Sequence, residues 1–513
     1  MNFRKSILYL AIFAAGFCGM VTENSISTAM SYLEENTAAA YAVVIGTFML
    51  SLGVGGYASQ FMRSGKELGM FVLIELVLSI LTAASVILMM EAAVVELDWT
   101  AGLILTFAIG VLVGLELPLI IRINETQQVA LKDNIAKMLW ADYLGGFLAG
   151  ISFCWLLPKL DIVHIPILAG AINLGIGAAV AIGFRSELRM RTFAPALGAG
   201  ALALGIIWIL AGRTVAIAEQ AQFEDPIIFH EQTVYQRIVI TKQDVRNICL
   251  YLNGQTQFCT VDEARYHESL VHPAFGLNPS AKRILILGGG DGMAAREILK
   301  YPDTTITLVD LDPHMVELCR TYPRLVWANN GSLNDLRVQI VSADAYKWIQ
   351  KNLDLWDIIF IDLPDPSHPA LAKLYSVEFY RMVASRLAPD GVMVTQSTSP
   401  IHAPEVFVAI WKTMKTTGLS VIPYRTNVPT FGDWGFNLGM RPKDKTEREI
   451  LDALETFVPD RLVETKYLNQ PAMQAALRFE KGIFPANLDK VEASRIIKPT
   501  VLTAYEMSWD KIE

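Results

Sequence analysis

"KRILILGGGDGMAAREILKY", residues 282–301, decides the architecture of the second half of this chain. Arg283 to Leu287 is an apolar run of the kind a strand shows when both its faces are covered. Gly288, Gly289, Gly290 and Gly292 follow at once. Such a loop lets backbone come close to a ligand. Met293 to Lys300 then carries a helical pattern, and "TITLVDLDP" (305–313) reads as a second strand ending on Asp310. Strand, glycine loop, helix, strand and acid form the nucleotide-binding half of a doubly wound sheet, with the acid set for ribose hydroxyls. A dinucleotide cofactor and an adenosyl sulfonium share this geometry, so both stay open at this point.

Downstream, "VQIVSADAYKWI" (338–349) predicts a further strand followed by Asp344, where adenine could be recognised. "WDIIFIDLPDP" (356–366) predicts a fourth strand that delivers Asp362 and Asp365 to the same carboxyl edge. Ligands of such sheets bind at that edge. A turn-shaping role suits Asp365 alone, because Asp-Pro is common in turns; it suits the pair less well. Upstream, residues 234–274 read as short strands with a turn at Asn253-Gly254, then a helix. Cys249 and Cys259 flank that turn, and none of the five cysteines has metal-ligand spacing. Packing roles are expected for them, while whether Cys249 and Cys259 face each other depends on the strand register.

The first half is different. The chain of 513 residues is 52% hydrophobic, yet residues 1–213 hold only 12 of the 43 Lys/Arg and 14 of the 51 Asp/Glu. Seven segments approach the roughly 20 residues that span a bilayer: 7–30, 38–60, 69–90, 101–121, 139–158, 163–184 and 193–213. Arg4 and Lys5 precede the first, but six more follow, so it is read as a retained span and not a cleaved signal. Basic residues cluster at the N-terminus and in the 61–68, 122–138 and 185–192 connections; 31–37 and 91–100 have none, and 159–162 has only Lys159. This alternation predicts a cytoplasmic N-terminus. Seven crossings would then leave residue 214 onward outside. Glu23, Glu75, Glu116, Asp142 and Asn173 fall within spans, where a carboxylate is costly and faces a bundle interior or a wet cavity. Helix–helix contact is the plainer reading for them, and a path for a cation the functional one. The small-residue runs "GVGGYAS" (53–59) and "LGGFLAG" (144–150) suit close helix packing.

The second half has a net charge of −6 from 31 Lys/Arg and 37 Asp/Glu, which argues against nucleic acid as a partner. Its motifs "LYLNGQTQFCTVDEARYHESLVHP", "LGGGDGMAAREILKY", "DLPDP" and "LYSVEFY" together resemble the polyamine aminopropyltransferases, specifically spermidine synthase, over about residues 230–440. The apolar front resembles that family's membrane-bound bacterial branch. The resemblance implies transfer of an aminopropyl group from decarboxylated S-adenosylmethionine to putrescine, with methylthioadenosine leaving. The donor is then a consumed substrate, with no cofactor and no metal expected. Gln236 and Asp291 would contact the aminopropyl-sulfonium, Asp310 the ribose, and Asp344 with Ala345 the adenine. Tyr266 and His267 would line the meeting point of donor and amine. Asp362 would be catalytic; Asp365, Gln396, Phe431 and Trp434 would form the amine pocket. Four positions depart from the family pattern. Asp310 stands for the usual Glu, Leu363 and Pro364 replace small hydroxyl residues between the two aspartates, and Phe431 replaces an aromatic hydroxyl.

The chemistry is consistent on its own terms. A methylene next to a sulfonium is electrophilic without a metal. An alkyl amine has a pKa of about 10.4, so its neutral form costs about 4–5 kcal/mol at pH 7. A carboxylate such as Asp362 can orient the attacking nitrogen and take its proton, while acidic and aromatic walls suit a diamine. His267 is the competing base. Two alternatives compete: a methyltransferase using intact S-adenosylmethionine, whose carboxylate Asp291, Asp362 and Asp365 would repel, and a membrane carrier or sensor of polyamines with a vestigial catalytic domain.

The expected organisation is an α-helical multi-pass membrane domain of about seven spans (1–213), a small β-hairpin capping subdomain (214–275), an α/β Rossmann-like, methyltransferase-type catalytic domain (276–442) and a helical cap (443–513). The expected location is the cell (inner) membrane. For the side that holds the catalytic domain, the charge count and the intracellular origin of the substrates point opposite ways, and the second favours the cytoplasmic side. Soluble relatives form dimers or tetramers, so a homo-oligomer is compatible with the resemblance.

Overall fold

A computed structural model of the chain describes residues 3–33, 37–63, 65–93, 97–125, 131–156, 160–484 and 488–509. It divides into two compact units, Met1–Glu224 and Asp225–Glu513. The first consists of seven long helices: α1 (Phe3–Leu33), α2 (Thr37–Ala58), α3 (Glu67–Ala93), α4 (Asp98–Glu125), α5 (Leu131–Leu156), α6 (His164–Gly183) and α7 (Met190–Ala221). Among the described residues, six of them, all but α5, are long and apolar enough to cross a membrane by length and composition. The expected span 139–158 falls in the second part of α5, whose first turns carry Lys132, Asp133 and Lys137. Residues 157–158 and parts of the 31–37, 61–68, 91–100, 122–138 and 159–162 connections, Lys159 among them, lie outside the described residues. Helix α7 runs past the expected boundary at Arg213 to Ala221.

The helices pair as α1 with α5, α2 with α4 and α3 with α6. Glycine permits two of these contacts. A Cβ on Gly145 would lie 2.1 Å from the Phe13 carbonyl oxygen, and one on Gly55 2.1 Å from that of Val111. The runs 53–59 and 144–150 thus bring backbones together, where dispersion between close helices does most of the packing.

The second unit opens with a four-stranded antiparallel sheet in chain order: β1 (Ile227–Gln232), β2 (Arg237–Lys242), β3 (Ile248–Leu252) and β4 (Gln255–Cys259). Asn253 (φ 51°) and Gly254 (φ 81°) take the two left-handed positions of the hairpin turn. The register sets Cys249 opposite Cys259, and their sulfurs are bonded. This corrects the expectation of two packing cysteines. A register shift between Leu250 and Tyr251 brings the two cysteines opposite each other across the hairpin, which the spacing alone did not reveal. Helix α8 (Glu263–Leu277) leads into the main sheet.

That sheet contains β5 (Arg283–Gly288), β6 (Thr305–Asp310), β7 (Val338–Ser342), β8 (Trp356–Asp362), β9 (Leu387–Gln396), β10 (Ser420–Val428) and β11 (Gly432–Met440), in the order β10-β11-β9-β8-β5-β6-β7. Strands β5 to β9 are parallel; β11 runs antiparallel to β9, and β10 to β11. Ile284, Ile286 and Phe360 face one apolar cluster, Leu285, Leu287, Ile359 and Ile361 the other. Coverage on both faces is why these strands read as continuous apolar runs, and each such side chain stabilises by roughly 1.5–3 kcal/mol relative to exposure. Helices α9 (Met293–Ile298), α10 (Pro313–Thr321), α11 (Pro323–Ala328) and α12 (Ala345–Lys351) return the chain between strands. The tail packs helix Glu447–Glu455 on the first cluster through Ile450 and Leu454, and helix Thr500–Trp509 on the second through Val501 and Tyr505.

Candidate active site

The strand order reverses between β5 and β8, whose ends Gly288 and Asp362 are paired. Ligands bind outside the carboxyl ends of strands at such a point. The glycine loop there is built on left-handed backbone at Gly288, Gly289 and Gly292. The Gly289 N–H donates to the Asp362 carbonyl at 3.1 Å, so loop and aspartate are positioned together. Asp310, at the end of β6, accepts from the Gly290 N–H at 3.1 Å and the Asp312 N–H at 2.9 Å. Burial still pushes its carboxyl up to about 6, against the pull of those two amides. Asp291 accepts from the Met293 N–H at 2.8 Å and lies within electrostatic reach of Asp310 and Asp362.

Asp362 is half-buried and accepts from the Tyr266 hydroxyl at 2.6 Å. Burial first, then the negative charge of Asp291, raises its carboxyl to about 6; His267 and the Tyr266 hydrogen bond oppose the rise. His267 is buried, with Nδ1 facing the Glu263 carbonyl at 2.9 Å and the Glu263 carboxylate at 3.1 Å. Arg296 holds that carboxylate through both terminal nitrogens, at 3.0 and 2.7 Å. Burial works against a charge on His267, but the Glu263 hydrogen bond and the Asp291 charge outweigh it and raise its pKa. A raised pKa favours the charged imidazole, which weighs against His267 as the base and fits its lowering effect on the Asp362 carboxyl.

Asp365 is buried; it accepts from Gln396 Nε2 at 3.1 Å and the Thr398 hydroxyl at 2.8 Å. Gln396, at the end of β9, also donates to the Leu363 carbonyl at 2.6 Å and accepts from Trp434 Nε1 at 3.2 Å. Tyr375 donates to the Leu363 and Pro364 carbonyls at 3.0 and 2.9 Å. The Leu363-Pro364 pair between the aspartates is therefore held by both Tyr375 and Gln396. Phe431 stands edge-on to Trp434 (4.9 Å between centroids) and to Tyr266 (6.0 Å). An aromatic wall thus runs from the Asp362 partner to the Gln396 partner.

Two expected donor contacts have other partners here. Gln236 donates to Asp312 at 3.0 Å, beside the Asp310 loop. Asp344 caps α12, accepting from the Tyr346 N–H at 2.8 Å, and its other oxygen holds Lys373 at 3.0 Å. Against the upward push of burial, Lys373 and the cap amides hold the Asp344 carboxyl below its ordinary value. Ala345 is the buried first residue of that helix. Six residues had no sequence-level assignment: Glu263, Arg296, Asp312, Lys373, Tyr375 and Thr398. Glu263, Arg296, Asp312 and Tyr375 stand inside quoted stretches, so a reading of neighbours could have reached them. Thr398, at φ 55°, gives no such signal.

Residues 263–449, which hold α8, the main sheet and every one of these contacts except those of Gln236, match the spermine/spermidine synthase domain family. A spermidine synthase structure from Thermotoga maritima is 28% identical, with a TM-score of 0.44, over 50% of this chain and 84% of that one. The whole chain is 35% identical to the polyamine aminopropyltransferase of Oceanobacillus iheyensis, over 99% of this chain and 98% of that protein. It is 37% identical to polyamine aminopropyltransferase 1 of Streptomyces coelicolor, over 98% of this chain and 95% of that protein. The same identity holds for polyamine aminopropyltransferase 2 of Aquifex aeolicus, over 98% of each. Similarity at this level spans the helical unit as well as the sheet, and the chain belongs to the polyamine aminopropyltransferases, enzymes of aminopropyl transfer.

Proposed function

We propose that the acceptor is putrescine, that the product is spermidine, and that Asp362 takes the proton of the attacking amine. The observation that carries this reading is the Asp362–Tyr266 pair at the sheet's reversal point, flanked by the wall of Phe431 and Trp434. Decarboxylated S-adenosylmethionine is the consumed donor. The amine lone pair attacks the methylene carbon attached to the sulfonium. The carbon–sulfur bond breaks with its electrons going to sulfur, leaving neutral methylthioadenosine. The nitrogen sheds one proton to Asp362, and Tyr266 keeps that carboxylate oriented. In-line placement supplies much of the remaining rate. Asp310 would take the ribose, Asp291 the cationic end of the donor, and Asp344 with Ala345 the adenine. Asp365, set by Gln396 and Thr398, would hold the far ammonium of the diamine, with cation–π support from the rings. Incubation with putrescine and each donor tests the reaction: methylthioadenosine and spermidine are expected from the decarboxylated donor. Release of S-adenosylhomocysteine alone, from intact S-adenosylmethionine, would sink the reading.

The division of the second unit at 275/276 and 442/443 is kept as our assignment of a capping subdomain, a catalytic domain and a terminal cap. We also read all seven helices as spans of the inner membrane, with the second unit on the outer side. The basic connections support this, and so does the Cys249–Cys259 bond, since cytosolic thiols stay reduced. Alkaline phosphatase fused after Glu513 should be active and a fluorescent protein at the same place dark; the reverse pattern refutes this topology.

A further inference from the structure

We propose that the helical unit binds an alkylammonium cation, the charged end of a diamine or polyamine, between Glu75 of α3 and Glu116 of α4. The choice of ligand rests on the polyamine reading of the second unit. Both side chains are 1% exposed, and none of their four carboxylate oxygens has a hydrogen-bond partner among the described residues. The two lie within electrostatic reach of each other, and Asp142 of α5 lies within reach of Glu116. An ionised carboxylate withdrawn from water costs several kcal/mol unless a cation or donor meets it. Carboxylates in membrane helices are kept where something passes or binds.

The surroundings say which cation. Glu116, though not Glu75, lines a closed cleft with Thr22, Thr82 and Asn173, and with Ile109 and Val113, which must widen to admit a ligand. Polar oxygens together with branched alkyl walls match an ammonium on a methylene chain. A metal ion would need a denser ligand set, and among the described residues no three His, Cys, Asp or Glu are grouped to hold one. Two neighbouring acids also match the paired charges of a diamine.

Equilibrium dialysis of the full chain, in nanodiscs, with radiolabelled spermidine tests this. Wild type should bind two molecules per chain, and Glu75→Gln/Glu116→Gln one, with turnover unchanged. One molecule on wild type, or two on the double variant, overturns the proposal; a site that only holds protons gives the former. If the double variant fails to fold, Glu116→Gln alone decides: the second site must weaken by at least about tenfold, as loss of a charge-assisted hydrogen bond would give, and an unchanged second site overturns the proposal. Formation of spermidine from putrescine is read on the same samples. Failure of the polyamine reading therefore appears as missing product, and failure of the cation site as missing stoichiometry.

Discussion

Asp362→Asn is expected to lower kcat by roughly 10²- to 10⁴-fold, the usual worth of a positioned base, while the affinity for decarboxylated S-adenosylmethionine changes only a few-fold. The loop that would hold the donor is fixed by backbone bonds from Gly289 and Gly290, which an amide at position 362 leaves in place. Isothermal titration with the donor and a methylthioadenosine assay separate the two quantities; retained turnover removes Asp362 as the base. The pH profile is the second readout. Asp362 and Asp310 both have carboxyls raised to about 6 by burial, and the proposed roles, base and acceptor of ribose hydroxyls, need both ionised. The kcat/KM of wild type should therefore fall below about pH 6, with a slope steeper than a single protonation gives. Stability follows with the opposite sense. A carboxyl raised in the folded state is stabilising when protonated, and that contribution is lost as pH climbs from about 4, the unfolded value, to about 6. Asp362→Asn removes a penalty of ~1–3 kcal/mol at pH 7. Its unfolding midpoint should exceed that of wild type at pH 7 and match it near pH 4.

Much of the second unit could be read from the chain because its signals are local. The run 283–288, the glycines and the acids at 310, 344 and 362 each follow from strand period and strand end, and the sheet sets them along one edge. The contacts that escaped are those made between distant segments. Gln236 meets Asp312 across 76 residues, and Arg296 meets Glu263 across 33. No spacing rule reports such pairs, since they depend on how β2 and α8 settle against the sheet. The disulfide escaped for a related reason: the cysteines flank a legible turn, but one register shift decides whether they face each other. In the helical unit, length and apolarity were legible, whereas the lack of a hydrogen-bond partner for Glu75 and Glu116 among the described residues needed the packed bundle.

Gly288→Ala should be the most damaging small substitution in the second unit, and Gly254→Ala its control. Both glycines have left-handed backbone, at φ 89° and 81°, so each alanine carries the same conformational strain of about 1–2 kcal/mol. Their surroundings differ. At Gly254 a Cβ meets nothing within 4 Å, whereas at Gly288 it would lie 2.0 Å from the Asp362 carbonyl oxygen. That oxygen is backbone of the adjoining strand and accepts from the Gly289 N–H. Relief requires β5 and β8 to move apart where their ends are paired, which shifts the glycine loop and the Asp362 carboxylate together. Gly288→Ala should therefore weaken donor binding and turnover together, by at least about 100-fold in kcat/KM, or about 2.7 kcal/mol. Gly254→Ala should lose only stability and keep wild-type kinetics. This pattern differs from that of Asp362→Asn, which separates binding from turnover. Equal kinetics for the two glycine variants would mean that the reversal point of the sheet is not what holds donor and base in register.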